Sequence, residues 1–274
     1  MTPDTSGRGG GPKLTVEGVQ HVFESLPVLD PTSLEVREGE FVSLVGPSGC
    51  GKSTLFNIVS GLIRPTDGRV FIDGRDVTGT TGHVGYMFQK DLLLPWRTAA
   101  GNIVLGASLN GRVRKRDREE ARALAERYGL GEFVDHYPHA LSGGMRQRVA
   151  LMRTLAFHRD VMLLDEPFGA LDSQTRLRMQ QWLLEVWGDL GHTIVFITHD
   201  VDEAIFLSDR VLVMSARPGQ IRATFPVPLA RPRDFRVLTS DEFTELKREI
   251  LAVIYSETLK QLEREPEPAE ADAA

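Results

Sequence analysis

Nine consecutive residues constrain this chain more than any other stretch: Gly46-Pro47-Ser48-Gly49-Cys50-Gly51-Lys52-Ser53-Thr54. A glycine, four residues and then Gly-Lys-Ser make the phosphate-loop pattern, which carries meaning only between a strand and a helix. Both are predicted here. Phe41-Val42-Ser43-Leu44-Val45 is a short apolar run of the kind buried in a sheet. Leu55, Ile58, Val59 and Leu62 then recur at helical spacing, with Gly61 and Pro65 as stop signals. Glycines let backbone N–H groups converge on phosphate oxygens, and a helix N-terminus adds unpaired donors with partial positive charge. Lys52 is placed to reach β- and γ-phosphates, and the Ser53 hydroxyl to bind Mg²⁺. A flexible Gly/Ser loop with a surface lysine would not need the flanking strand and helix. The stretch predicts a nucleoside triphosphate site.

Bulk properties narrow the setting. The 274 residues are 41% apolar and 26% charged, enough for one large domain or two modest ones with a real core. A net charge of −6 gives no general attraction to nucleic acid. The single cysteine, Cys50, excludes an internal disulfide framework and agrees with a reducing compartment; its thiol is expected to react with a maleimide in a nucleotide-sensitive way. No apolar run approaches the ~20 residues that cross a bilayer, so any spanning segments would come from another polypeptide. Residues 1–12 read as a disordered lead-in without the apolar core of a secretory signal, and 263–274 as a disordered acidic tail.

Along the chain, Leu14 to Val19 alternates as a half-exposed strand, Leu34–Val36 leads to the Glu38-Gly39 turn, and Arg69–Ile72 closes at the hairpin turn Asp73-Gly74. Val84–Phe88 is a further apolar stretch ending at Gln89. From Asn102 to Tyr128 the pattern turns helical, and the charged block Arg112–Glu120 reads as a solvated face. Residues 89–158 are therefore expected to be a helical insert between two α/β parts. Val161–Leu164 and Thr193–Thr198 read as strands buried on both faces. Between them Ser173 is expected to cap a helix whose Leu177, Leu184 and Trp187 share a face. A short helix around Ala204–Leu207, strands at Arg210–Met214 and Ile221–Phe225, a linker marked by Pro226, Pro228 and Pro232, and a helix from Phe243 to Leu262 complete the pattern.

Asp165 and Glu166 end the buried run Val161–Leu164. Ligand sites in open parallel sheets lie at the carboxyl ends of strands, which puts these acids beside the phosphate loop. Asp165 fits a Mg²⁺-anchoring acid, and Glu166 a base that orients or deprotonates the attacking water. One further segment, Leu141-Ser142-Gly143-Gly144-Met145-Arg146-Gln147-Arg148, is a capped helix start with two glycines that leave donors open to an anion.

With that segment placed between the phosphate loop and the Asp165-Glu166 strand, the chain resembles the ATP-binding cassette (ABC) family over about 13–225. The resemblance implies an α/β fold: a RecA-like P-loop NTPase core with an antiparallel β subdomain and an inserted α-helical subdomain. It implies ATP and Mg²⁺ as ligands. Phe23 matches the aromatic that stacks on adenine, and Gln89 the glutamine that links the subdomains, touches Mg²⁺ and senses the γ-phosphate. Ser142, Gly143 and Gly144 match the signature, Ala170-Leu171-Asp172 the dimer-contact loop, and His199 the switch histidine at the γ-phosphate. Met145 departs from the family pattern, which usually has Gln there.

The resemblance also implies a dimer in which one cassette's signature faces the other's phosphate loop, giving ATP hydrolysis by Lys52, Glu166 and His199 across a shared interface. A non-transport ATPase of the DNA-repair, chromosome or translation type is the competing class. The segment from Lys90 to Ala140 is too short for coiled-coil arms and lacks heptads, and a single cassette is present, so a transport subunit is expected. A cassette without membrane segments resembles importers, acting at the cytoplasmic face of the plasma membrane with separate permease subunits and, indirectly, a solute-binding protein. Leu92–Trp96, just past Gln89, is where importer cassettes receive a permease helix. Leu94-Pro95-Trp96, Phe168–Asp172 and Met214–Gly219 resemble the nitrate, sulfonate and taurine importer group. The linker and helix 226–262 would contact permease or partner cassette.

Overall fold

The computed structural model describes residues 11–108 and 113–264; the rest of the expected lead-in and acidic tail lies outside them. In chain order the elements are β1 (Leu14–Phe23), β2 (Leu26–Val36), β3 (Phe41–Val45), α1 (Lys52–Val59), β4 (Asp67–Ile72), β5 (Arg75–Asp76) and β6 (Gly85–Met87). Three helices follow, α2 (Ala99–Ser108), α3 (Lys115–Arg127) and α4 (Gly143–Leu155). The chain continues with β7 (Val161–Asp165), α5 (Ser173–Leu190), β8 (Thr193–Ile197), α6 (Val201–Leu207), β9 (Arg210–Met214), β10 (Ile221–Pro226) and α7 (Asp241–Arg264).

Two sheets result. β2-β1-β4-β5 is antiparallel throughout, and its β4–β5 hairpin turns on Asp73 and Gly74 at φ 52° and 71°, the left-handed pair a tight hairpin requires. The other sheet has the order β10-β9-β3-β8-β7-β6 and is parallel except for the edge strand β10. β3, β7 and β8 are buried at every residue, which explains their unbroken apolar sequence. One apolar cluster fills the space between the two sheets and α1; another packs the parallel sheet against α4, α5 and α6.

Several local expectations change. Helix α1 ends at Val59, leaving Leu62 exposed beyond the cap Ser60. The expected helix from Asn102 to Tyr128 is two helices, with Arg112 outside the described residues. From Lys115 onward the charged block is the solvated face expected, pairing Lys115 with Glu119 and Arg116 with Glu120. Helix α5 is capped by Asp172 rather than Ser173, through a 3.0 Å bond from the Thr175 amide, because Asp172 is the last extended residue. Its buried stripe is Met179, Trp182, Leu183 and Val186; Leu177 faces outward and Leu184 and Trp187 lie at the margin.

The proline-rich linker is a packed strap. Arg233, buried, donates to the carbonyls of Ile205 (2.9 Å), Phe206 (3.1 Å) and Ser208 (2.8 Å) at the end of α6 and to Leu229 (3.0 Å) and Val227 (3.4 Å). It satisfies the orphan carbonyls of a helix end with one guanidinium. Burial pushes its pKa down to about 10, still charged at neutral pH. Arg231 lies 4.2 Å over the Trp187 ring and bonds Asp209 and the Leu207 carbonyl. Arg233→Met should lower stability by about 3 kcal/mol, because it strands these carbonyls away from water. Urea unfolding measures it, and a loss under about 1 kcal/mol would mean that water replaces the guanidinium.

Candidate nucleotide-binding site

The site stands where four neighbouring parallel strands end. β3 runs into the phosphate loop, β8 into Thr198-His199-Asp200, β7 into Asp165-Glu166, and β6 into Phe88-Gln89. Register holds these ends level, with Leu44 opposite Ile197 and Ile197 opposite Asp165.

In the phosphate loop, Gly51 is the N-cap of α1 at φ 104° and offers no capping side chain, so the first-turn amides of the helix keep their donors free of a side-chain cap. A Cβ there would lie 2.7 Å from Leu29 Cδ2, so only glycine lets β2 press against the loop. No acidic residue occupies the first turn, and Lys52 is held inside the loop by the Gly46 and Pro47 carbonyls, each 2.9 Å from Nζ. Open helix amides beside an ammonium form a cradle suited to phosphate. The loop therefore fits a nucleotide on its own geometry.

Cys50 overturns one expectation. Its thiol is 1% exposed, against Gly46 and 3.7 Å from Lys52 Nζ, and burial pushes its pKa up. It is a packing residue rather than an open nucleophile.

Asp165 is buried at the end of β7, where Tyr86 donates to it at 3.4 Å and Ser53 also bonds it; burial pushes its pKa up. A hydroxyl and a carboxylate thus converge beside the phosphate loop, hard oxygen donors of the kind Mg²⁺ takes. Glu166 sits in the left-handed region at φ 44°, uncommon for a residue with a side chain, and its amide bonds the Ile197 carbonyl at 2.9 Å. This turn presents the carboxylate. Its Oε2 accepts from Gln89 Nε2 at 3.1 Å and lies 3.3 Å from His199 Nδ1, so three residues distant in sequence meet at one oxygen. His199 is 60% exposed and Glu166 is partly shielded, which leaves the cluster open on one side.

Ser142 caps α4 by accepting from the Met145 amide at 3.3 Å. The two glycines that follow bring the helix start close to the first turn of α5 and the loop before it: a Cβ on Gly144 would lie 2.9 Å from Thr175 Cγ2, and one on Gly143 3.6 Å from Leu171 Cδ2. Met145 is partly buried against the core beside α4. Phe23 ends β1 with an exposed ring, edge-on to His21 at 4.4 Å.

Sequence reasoning missed the residues that brace the site. Gly219 lies behind the phosphate loop, and a Cβ there would sit 1.9 Å from the Cys50 carbonyl. The Gly219 amide bonds Val28 and its carbonyl accepts from Asp30, tying the β9–β10 turn to β2 and the loop at once. Tyr86, Arg146 and Arg153 were not read as bracing residues either. Arg153 donates to the Asp91 and Leu92 carbonyls (2.6 and 2.7 Å), and Arg146 bonds Asp91 and Leu141, joining the segment after Gln89 to α4. The glycine of Ser215-Ala216-Arg217-Pro218-Gly219 was the one available signal.

This arrangement defines a phosphate-loop ATPase of the cassette type. The ABC transporter family model matches residues 29–169. The chain is 46% identical over 254 residues to an uncharacterized ABC transporter ATP-binding protein of Methanocaldococcus jannaschii, covering 91% of this chain and 94% of that one. It is 44% identical to the taurine import ATP-binding protein TauB of Rhizobium johnstonii, over 83% of this chain and 89% of TauB. Among solved structures, a dimeric ATP-binding cassette in a post-hydrolysis state with ADP and Pi superposes with TM-score 0.69 at 31% identity, over 79% of this chain and all of that one. The chain belongs to the ABC transporter family and is an ATP-binding, ATP-hydrolysing subunit.

Two measurements test the bracing. Gly219→Ala should displace the Cys50 carbonyl and weaken ATP binding at least about tenfold, as expected when a cradle of backbone donors is misplaced. Titration with a fluorescent ATP analogue would show it, and unchanged affinity would mean the turn yields freely. Native Cys50 should react with maleimide far more slowly than in urea; equal rates would place the thiol in solvent.

Proposed function

We propose that the chain is the motor subunit of an ABC importer, hydrolysing ATP at sites shared between two copies and driving separate membrane subunits. The meeting of Gln89 and His199 on one oxygen of Glu166, beside the phosphate loop, carries this reading. Glu166 would accept the proton of the attacking water, with His199 and Gln89 fixing its carboxylate and reporting on the γ-phosphate. Lys52, the loop amides of Gly46 to Thr54 and the N-terminus of α1 would hold the phosphates, and Phe23 the adenine. Ser53, Asp165 and Gln89 would hold Mg²⁺, which when bound neutralises charge on the phosphate oxygens.

Ser142, Gly143 and Gly144, the open start of α4, would meet the nucleotide bound by a second copy, as the dimeric state of the related cassette with ADP and Pi suggests. The permease would dock on the segment after Gln89. Leu92 is 53% and Trp96 71% exposed, on a backbone fixed by Arg153 and by Asn102, whose side chain bonds Leu94, Arg97 and Thr98. A rigid backbone presenting apolar side chains is the surface a partner helix needs. Through that contact the chain would sit on the cytoplasmic face of the membrane; no helix among the described residues is long and apolar enough to cross it. Likeness to the taurine import protein TauB favours taurine or a related small sulfonate, within the nitrate, sulfonate and taurine group that the sequence resembles. A solute-binding protein would deliver it to the permease.

Glu166→Gln should bind Mg-ATP but hydrolyse it at least ~100-fold more slowly, as loss of a general base predicts. Its solution mass should double on adding Mg-ATP. Near-normal turnover would remove Glu166 from the base role, and tight binding with no cross-link between the signature and phosphate loops of two copies in the full complex would overturn the shared site.

A further inference from the structure

Helix α5 begins at the loop that follows Glu166 and places Arg176 and Gln180 one turn apart on the same face. Both reach the turn that carries His199. Arg176 Nη2 donates to the Leu171 carbonyl at 3.1 Å, and Nη1 lies 3.5 Å from Asp200 Oδ2. Asp200 Oδ1 in turn caps α6 by accepting from the Asp202 and Glu203 amides. Gln180 Nε2 donates to Glu203 Oε1 at 2.8 Å, and Glu203 Oε2 accepts from Thr198 Oγ1 at 2.5 Å. Thr198 Oγ1 also accepts from the Asp200 amide at 3.0 Å. The residues on either side of His199 are therefore both secured from α5, while the histidine itself stays exposed.

We propose that Arg176 is a positioning residue for ATP hydrolysis: it clamps the Leu171 loop to Asp200 and so sets His199 against Glu166. The guanidinium touches neither His199 nor Glu166. It acts on the backbone that carries each, at the loop after β7 and at the turn after β8. Gln180, through Glu203 and Thr198, holds the other side of the same turn, so the clamp has two points of grip on one rigid helix. A planar fork is suited to this, since it bonds a carbonyl and a carboxylate at once, whereas a lysine ammonium is a point charge that serves such a bridge poorly. A Cβ added at Gly143 would lie 3.6 Å from Leu171 Cδ2, so the loop that Arg176 grips runs beside the start of α4.

The inference rests on the proposed roles of Glu166 and His199, and the test separates the two. The purified full chain is assayed for ATP hydrolysis at varied Mg-ATP. Arg176→Met should lower kcat about tenfold while KM for ATP stays within about twofold, the pattern of an interaction that matters after binding. Arg176→Lys should fall between Arg176→Met and the native chain. Asp200→Asn keeps the helix cap, since asparagine caps as well as aspartate, and should reproduce the loss even where Arg176→Met folds poorly. The double variant should be no slower than the slower single one, because both remove the shared Arg176–Asp200 contact. Native kcat in folded Arg176→Met, a change confined to KM, or fully additive losses would overturn the clamp. Glu166→Gln is run in parallel: if it still turns over, the reading of the site fails, and if it is silent while Arg176→Met is fully active, only the clamp fails.

Discussion

Everything in this molecule depends on the lateral pairing of β3 with β8 and of β8 with β7. A parallel sheet must be covered on both faces, and here it is: the antiparallel sheet and α1 lie over one, and α4, α5 and α6 over the other. Its hydrogen-bonded register brings the ends of strands far apart in sequence level with one another, Leu44 beside Ile197 and Ile197 beside Asp165. Shifting any one of these pairings by a residue would turn Asp165 or Glu166 to the wrong face. The geometry of the candidate site is thus a by-product of apolar burial in strands that carry no candidate residue except at their last position.

That origin explains what could be read from the sequence. The candidate residues at the ends of the parallel strands follow apolar runs, so the phosphate loop after Phe41–Val45, the acids after Val161–Leu164 and the histidine after Thr193–Thr198 all announce themselves by position. Helices were harder. In α5 the apolar residues are interrupted by buried Gln180, which has a hydrogen-bonded reason to be inside, so periodicity pointed to Leu177 and Leu184 instead of Met179 and Leu183. A cap one residue earlier than expected followed from backbone conformation at Asp172, which composition does not encode.

Bracing residues were illegible for a different reason. Gly219, Arg153 and Arg233 act on main-chain carbonyls, and a carbonyl belongs to every residue, so no pairing of side-chain types betrays the contact. The linker read as three prolines is held this way: Arg233 draws five carbonyls onto one charged group, and Arg231 covers Trp187. Two contrasting uses of charge stand side by side. The pairs Lys115–Glu119 and Arg116–Glu120 on α3 lie at the surface and contribute little to stability, whereas buried Arg233 and half-buried Arg153 organise backbone and cannot be exchanged for lysine without loss.

The contact between Gly219 and the Cys50 carbonyl has a consequence for how the protein is made. The phosphate loop leaves the ribosome early, but the strands on either side of β3, β8 and β9, and the turn that supports its floor all come from residues 193–219. Pairing across that separation is slow, because a long loop must close before any contact rewards it. Until then β3 lacks both strand neighbours, and only β2 lies against the loop. A growing chain therefore lacks the flanking strands and the floor of its phosphate cradle until the β9–β10 turn has been made.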